Sequence, residues 1–331
     1  TSQRIRGGSM TMQFIGVDLG GTQIRAALAG DDGVIERRIA TSTLADEGPE
    51  AVIARICTQI EEVWGDAPVA AIGLGAPGPT DPYAGIVLVA PNLSGWHNIP
   101  LRGLLTRRFG VPVFLGNDAN LAGLAEYRYG AGRKSSHMIY ITVSTGIGGG
   151  VIIGKRLLLG RQGLAAEIGH VTIDLSGEQE GRHEVGTLEG LASGPNLARR
   201  ARQALASGAQ SILVEWVNGD IDAVTPSLLQ QAAAQGDSFA LDQFALNGRY
   251  LGVGITNLLH TFNPQRIVIG GGVWMHAQEF MVSTMWETIR KRSQSPDYWR
   301  ELEIVPAELG ADVGLLGAIA LAEDEMERMR G

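Results

Sequence analysis

The chain has a single cysteine, Cys57, in 331 residues, so no internal disulfide can form and a reducing compartment is expected. No apolar run approaches the roughly 20 residues needed to cross a bilayer, and no secretory apolar core opens the sequence. Positive charge is in deficit: 27 Lys and Arg face 35 Asp and Glu, for a net charge of −8. That balance offers no broad electrostatic footprint for nucleic acid or an anionic membrane, so any phosphate must be bound locally. Heptad repeats and low-complexity linkers are missing too, which excludes a coiled coil. The first ten residues read as a leader or expression remnant, and residues 1–12 are set apart from the fold.

Glycine is what the chain has in abundance, 46 residues of it, concentrated at turns after apolar runs. The first such turn is Phe14-Ile-Gly-Val-Asp18-Leu-Gly20-Gly21-Thr22, and the second is Ile139-Tyr-Ile-Thr-Val-Ser144-Thr145-Gly146-Ile-Gly148-Gly149-Gly150. Each sets backbone N–H groups and a threonine hydroxyl at the tip of a strand turn, where glycine allows the close approach a phosphate requires. A repeat after about 125 residues suggests two similar half-domains facing one nucleotide. Neither turn fits the P-loop or the dinucleotide fingerprint. One glycine hairpin alone is an ordinary tight turn. The pair, with Asp18 directly before the first, suits phosphate hairpins of the actin, Hsp70 and sugar-kinase type.

Residues 13–40 predict three strands, with the second turn at Asp31-Asp32-Gly33. A helix is expected over 47–64, where Ile53, Ile56, Ile60 and Val63 recur at helical spacing. A buried strand over 69–75 runs into a proline- and glycine-rich loop over 76–82. Another strand, 111–115, ends at Gly116-Asn117-Asp118 and leads into a helix over 119–127. The domain boundary is placed within 118–135. Beyond the second glycine turn, 176–187 reads as an irregular loop, followed by helices over 189–206, 226–233 and 237–261. Asn263-Pro264 stops the last of these, because proline cannot continue it. Residues 266–272 form a strand entering a third glycine turn, and 314–322 a closing helix. His183 is expected on the surface and His260 in the core.

Eight motifs then fall in order: Asp18-Leu-Gly-Gly-Thr22, Gly75-Ala-Pro-Gly78, Asn92-Leu-Ser-Gly-Trp96, Gly116-Asn-Asp118, Ser144-Thr-Gly-Ile-Gly-Gly149, Glu167-Ile-Gly-His170, Leu188-Glu189 and Ile269-Gly-Gly-Gly272. Their order and spacing over residues 14–322 resemble the repressor/ORF/kinase (ROK) family, above all its bacterial glucokinases. The resemblance implies an α/β fold of two actin-like (ribonuclease H-like) domains around a deep cleft. Residues 13–125 with 312–329 would form the N-terminal domain and 126–311 the C-terminal one. It further implies a cytoplasmic enzyme using ATP and Mg²⁺ to phosphorylate the 6-hydroxyl of a hexose, in a homodimer or homotetramer. Glucose is the first candidate; N-acetylmannosamine, N-acetylglucosamine and fructose are the alternatives. A sugar-sensing repressor of the same family is the rival class, but about a dozen residues before the first strand are too few for its helix-turn-helix. A catalytically silent sugar-binding protein is opposed by Asp118 and the two phosphate turns.

Residue by residue, the resemblance makes Asp118 the catalytic base toward the sugar hydroxyl, with Gly78, Asn92, Asn117, Glu167, His170 and Glu189 around the sugar. Carboxylates and an imidazole suit that task, because a sugar presents mainly O–H donors. Composition alone would read Asn117-Asp118 as a helix N-cap, which is compatible with the catalytic role. Gly20, Gly21, Thr22, Thr145, Gly146 and Gly148 match the phosphate hairpins, and Gly271 and Gly272 the adenosine turn. Asp18 matches the acidic residue near Mg²⁺, acting through water. Two departures stand out. Many family members hold zinc with the motif histidine and three cysteines, whose positions here carry Glu180, Arg182 and Thr187, so no such four-ligand site is expected. A substitute built from His170, Glu180 and His183 is the less favoured reading. Gln23 stands where many members have lysine.

Overall fold

The structure, a computed structural model, describes residues 12–175 and 185–330. The chain divides into two compact units. One comprises Thr1–Tyr129, Leu159–Ala165 and Ala311–Gly331; the other comprises Gly130–Leu158 and Ala166–Gly310.

The first unit opens with β1 (Gln13–Leu19), β2 (Gln23–Gly30) and β3 (Ile35–Ser42), an antiparallel meander whose turns fall at the glycines the sequence marks. Helix α1 (Pro49–Trp64) follows, with Pro49 at its first position, where the missing N–H costs nothing. Strand β4 (Val69–Ala76) pairs parallel with β1. Three short strands, β5 (Thr80–Asp81), β6 (Ile86–Val89) and β7 (His97–Ile99), form a small antiparallel sheet, of which β5 falls within the loop expected over 76–82. Helix α2 (Leu101–Phe109), strand β8 (Val113–Asn117) and helix α3 (Asp118–Arg128) complete this stretch. The main sheet runs β3-β2-β1-β4-β8.

The second unit repeats that plan. Strands β9 (His137–Val143), β10 (Ile147–Ile153) and β11 (Arg156–Leu157) form its meander. Helices α4 (Leu188–Ala192), α5 (Gly194–Ala206), α6 (Leu213–Trp216), α7 (Pro226–Ala234) and α8 (Ser238–Phe262) come next. Then follow β12 (Arg266–Gly270), α9 (Gly272–Arg292) and β13 (Glu303–Pro306). Its sheet order, β11-β10-β9-β12-β13, matches the first position for position, with the last two strands again parallel to the third. The actin-like half-domain therefore occurs twice. The single helix expected over 189–206 is two helices, because Ser193 is extended and Pro195 restarts the chain as a second N-terminus. His260 is exposed, not in the core: its ring packs edge-on against Tyr298 with centroids 4.7 Å apart, and Nε2 accepts from the Gln294 N–H. His183 lies outside the described residues.

The last helix, α10 (Val313–Arg330), belongs to the first unit and lies against β1, β4 and α3. Its approach is close enough that a Cβ at Gly73 of β4 would come within 1.7 Å of the Ala318 carbonyl oxygen. Each unit keeps its own apolar core, around Ile15, Val17, Ile72 and Leu74 in the first and Ile139, Ile141, Ile267 and Ile269 in the second. Among the described residues no helix is long and apolar enough to cross a membrane.

Candidate active site

In the first unit the β1–β2 turn is braced from the end of β3. Gly20 donates its N–H to the Gln23 carbonyl at 2.9 Å, and buried Thr43 donates its N–H to Thr22 O (2.8 Å) and its hydroxyl to Gly20 O (2.7 Å). Asn92 stands against this turn, since a Cβ on Gly21 would lie 2.9 Å from the Asn92 Cβ. Asp18 faces Arg25 directly across the β1–β2 ladder and pairs with its guanidinium, Nε donating at 3.0 Å. The same guanidinium donates to the Ala311 carbonyl just before α10.

Asn117 ends β8 and caps α3. Its Oδ1 accepts from the Ala119 and Asn120 N–H groups at 3.0 and 3.2 Å, and its Nδ2 donates to Gly78 O at 3.1 Å. The capping reading therefore describes the Asn117 carbonyl, while one amide N–H remains for a ligand. Asp118 follows as the first residue of α3, exposed, with Oδ1 accepting from the Ala119 N–H at 2.7 Å. A carboxylate there gains from the positive end of the helix and stands at the carboxyl end of a parallel strand, where α/β sheets bind ligands.

In the second unit the Ser144–Gly146 turn closes through Ser144 N–H to Gly146 O at 2.9 Å. Gly194, opening α5, donates to Ser144 O at 2.8 Å, which draws a helix N-terminus to the turn. Gly148 lies next along β10, opposite Thr142. Helix α9 begins at Gly271 and Gly272 with no side-chain cap among the described residues, which suits its first N–H groups to an anion. A cavity of about 620 Å³ joins these elements, lined by Ser144, Thr145, Gly194 and Gly272 and floored by Phe244. Arg202, Gln230 and His276 add longer polar side chains to its serine and threonine hydroxyls. None of these three sits in a motif; α5, α7 and α9 each contribute one, so only the fold assembles them.

Glu167, His170 and Glu189 are carried by two short segments packed on β10. Ile168–His170 is one 3₁₀ turn with Glu167 at its start, and both Glu167 and His170 are exposed. Gly169 seats this turn, for a Cβ there would lie 1.9 Å from Ile147 O and 3.4 Å from the Glu189 Cβ. Glu189 is half-buried in α4, and its Oε2 accepts from the Ile147 N–H at 2.6 Å. The carboxylate assigned to the sugar thus also holds the glycine hairpin assigned to phosphate. Helix α4 is itself clamped: Arg200 donates to Leu191 O at 2.7 Å and Asn247 to Ala192 O at 2.9 Å. Burial lowers the Arg200 guanidinium to about 10. At the former cysteine positions, Thr187 accepts from the Gly190 N–H to cap α4, and Glu180 and Arg182 lie outside the described residues.

Known structures share this arrangement of chain. A ROK hexokinase from Thermus thermophilus superposes with a TM-score of 0.83 at 35% identity, covering 96% of this chain and 100% of that one. A ROK glucokinase from Streptomyces griseus, solved with glucose and AMPPNP, gives 0.77 at 34%, covering 94% and 99%. A glucokinase from Thermotoga maritima is 36% identical over 315 residues, 95% of this chain and 98% of that protein. With the ROK family profile matching residues 14–325 as well, the chain belongs to the ROK family.

Proposed function

We propose that the protein is an ATP-dependent hexokinase that transfers the γ-phosphoryl group to the 6-hydroxyl of glucose in the cytoplasm. The observation that carries this reading is the cavity between the Ser144–Gly146 turn and the uncapped start of α9. Its size and apolar floor suit a nucleoside, whereas an inorganic polyphosphate would need amides and cations but no such floor. Glucose is the substrate of choice because the similar kinases are named for it.

In this reading Asp118 takes the proton of the sugar 6-hydroxyl as the O6–P bond forms and the bond from Pγ to the β-phosphate oxygen breaks, releasing ADP. Glu167, His170 and Glu189 accept from the ring hydroxyls, and Asn117 offers its remaining N–H. Asn92 and Gly78 complete the sugar side. Gly20, Gly21, Thr22, Thr145, Gly146 and Gly148 offer amides and hydroxyls to the phosphates, and Gly271 and Gly272 pack beside the adenosine. Positioning and charge stabilisation supply most of the rate in phosphoryl transfer, and such groups provide both.

Magnesium, when bound, would neutralise charge on the β- and γ-phosphates. Magnesium keeps several waters and binds through substrate phosphates with few protein ligands, so the ion would arrive on the nucleotide. Asp18 fits a water-mediated role, because Arg25 already occupies its carboxylate. A coupled ADP-release assay across glucose, N-acetylmannosamine, N-acetylglucosamine and fructose, with ATP or polyphosphate as donor, tests the reading. The highest kcat/KM is expected for glucose with ATP. Comparable turnover on polyphosphate, or no ADP release with any hexose, would overturn it.

A further inference from the structure

His276 stands one turn into α9 and lines the nucleoside-sized cavity. Its Nδ1 lies 2.7 Å from the carbonyl oxygen of Gly272. A carbonyl only accepts, so Nδ1 carries the proton, and a neutral ring then keeps Nε2 as an acceptor. The tie to Gly272 fixes ring orientation and tautomer together, and among the described residues Nε2 has no partner. Elsewhere in the cavity Arg202 offers only donors, with its Nε committed to Val224 O at 2.8 Å, and the Ser227 hydroxyl accepts from Gln231 at 3.3 Å. His276 thus provides an oriented acceptor in a cavity that Arg202 also lines.

We propose that His276 reads the nucleoside half of the phosphoryl donor, its Nε2 accepting from a nucleoside donor group, a ribose hydroxyl or an exocyclic amine. The proposal rests on the assignment of this cavity to the nucleotide. It also gives the site a reason to prefer nucleotides, since the interior of a polyphosphate chain presents no such donor. His276 is exposed, so its replacement leaves the core of the second unit intact.

The test compares wild type, His276→Leu and His276→Gln at pH 8. KM is measured at saturating glucose for ATP, 2′-deoxy-ATP, 3′-deoxy-ATP and purine riboside triphosphate, which lacks the exocyclic amine. His276→Leu should raise the KM for ATP roughly 2- to 12-fold, the loss of one net hydrogen bond, with kcat and the KM for glucose unchanged. His276→Gln should recover part of this, because its amide carbonyl restores an acceptor. The penalty of His276→Leu should vanish with the one analogue that lacks the accepted donor and persist with the other two. An unchanged KM for ATP in His276→Leu, or an equal penalty with all four nucleotides, overturns the proposal. Ala198→Phe separates the underlying reading, because Ala198 is buried in the cavity wall and the larger ring fills the space. If folded Ala198→Phe keeps its KM for ATP, the nucleotide is elsewhere and the proposal falls with that reading. If its KM rises while His276→Leu is unaffected, the proposal alone falls.

Discussion

Glu323 lies in α10 where that helix packs on α3, only 4% exposed, and among the described residues its buried Oε1 has no hydrogen-bond partner. Burial pushes its carboxyl up to about 7 from 4.5, and the nearby Tyr129 hydroxyl and Arg128 guanidinium offset only part of that. Asp324 and Glu327 add to the rise, although Arg128 pairs with both. Burial also raises Asp324 itself and Tyr129. Because the folded value lies above the unfolded one, the contribution of Glu323 is fully present below 4.5 and is lost as pH rises to about 7. At about 1.4 kcal/mol per pH unit, the charged form costs about 3 kcal/mol above that window. Glu323→Gln keeps the size and mimics the neutral acid, so the variant should escape this cost. The gain over wild type should grow by roughly 2–3 kcal/mol between pH 5 and pH 8. Hydrogen–deuterium exchange of α3 and α10 amides, variant against wild type at one pH, cancels the intrinsic exchange rate and reads that opening energy directly. Protection in the variant should exceed wild type by roughly 30- to 150-fold more at pH 8 than at pH 5. An equal ratio at the two pH values would refute the reasoning.

Asp118→Asn keeps the size and a carbonyl acceptor but has no base, so kcat should fall ~10²–10⁴-fold while glucose affinity by calorimetry changes far less; a variant with a third of wild-type kcat would remove Asp118 from the mechanism. Glu189→Gln weakens the hydrogen bond from Ile147 as well as the acceptor proposed for the sugar, so the KM values for glucose and ATP should both rise; a change confined to glucose would unlink the carboxylate from the hairpin. Gly73→Ala drives a Cβ into the Ala318 carbonyl and should cost roughly 2–4 kcal/mol, seen as a lower melting temperature for the first unit; an unchanged transition would mean that α10 can lift away freely.

The elements that could be read from sequence are those whose signal is local. Asp31-Asp32-Gly33 and the two glycine hairpins punctuate successive strands, and Asn263, in the left-handed conformation at φ 44°, ends α8 just before Pro264. The three strands β5, β6 and β7 escape such reading because two to four residues show no period, and their pairing depends on a turn closed by Gly85. Two omissions had signals that could have found them. Trp274, Ala277, Met281, Met285 and Ile289 recur at helical spacing along α9, and Ser193-Gly-Pro195 is a helix start in its own right. That second signal bears on function, because the break at Ser193 turns Gly194 toward Ser144 and opens α5 onto the cavity.

The candidate site divides along the same line. Asp18, Asn117, Asp118, Glu167, His170 and Glu189 stand in short motifs next to turns, and the order of those motifs along the chain makes them candidates. Arg202, Gln230 and His276 stand within helices, where each reads as an ordinary polar face. Their meeting depends on how α5, α7 and α9 pack around Phe244, and that is a property of the core of the second unit. The hydrogen bond that Glu189 accepts from Ile147 is hidden for the same reason, since nothing in Leu188-Glu189 announces a partner 42 residues earlier. Asn117, at the end of β8, and Glu167, at the start of a 3₁₀ turn, sit where the backbone turns, and those turns leave a mark in sequence. Groups that select a ligand need only face a cavity, and any helix that reaches the cavity can supply them.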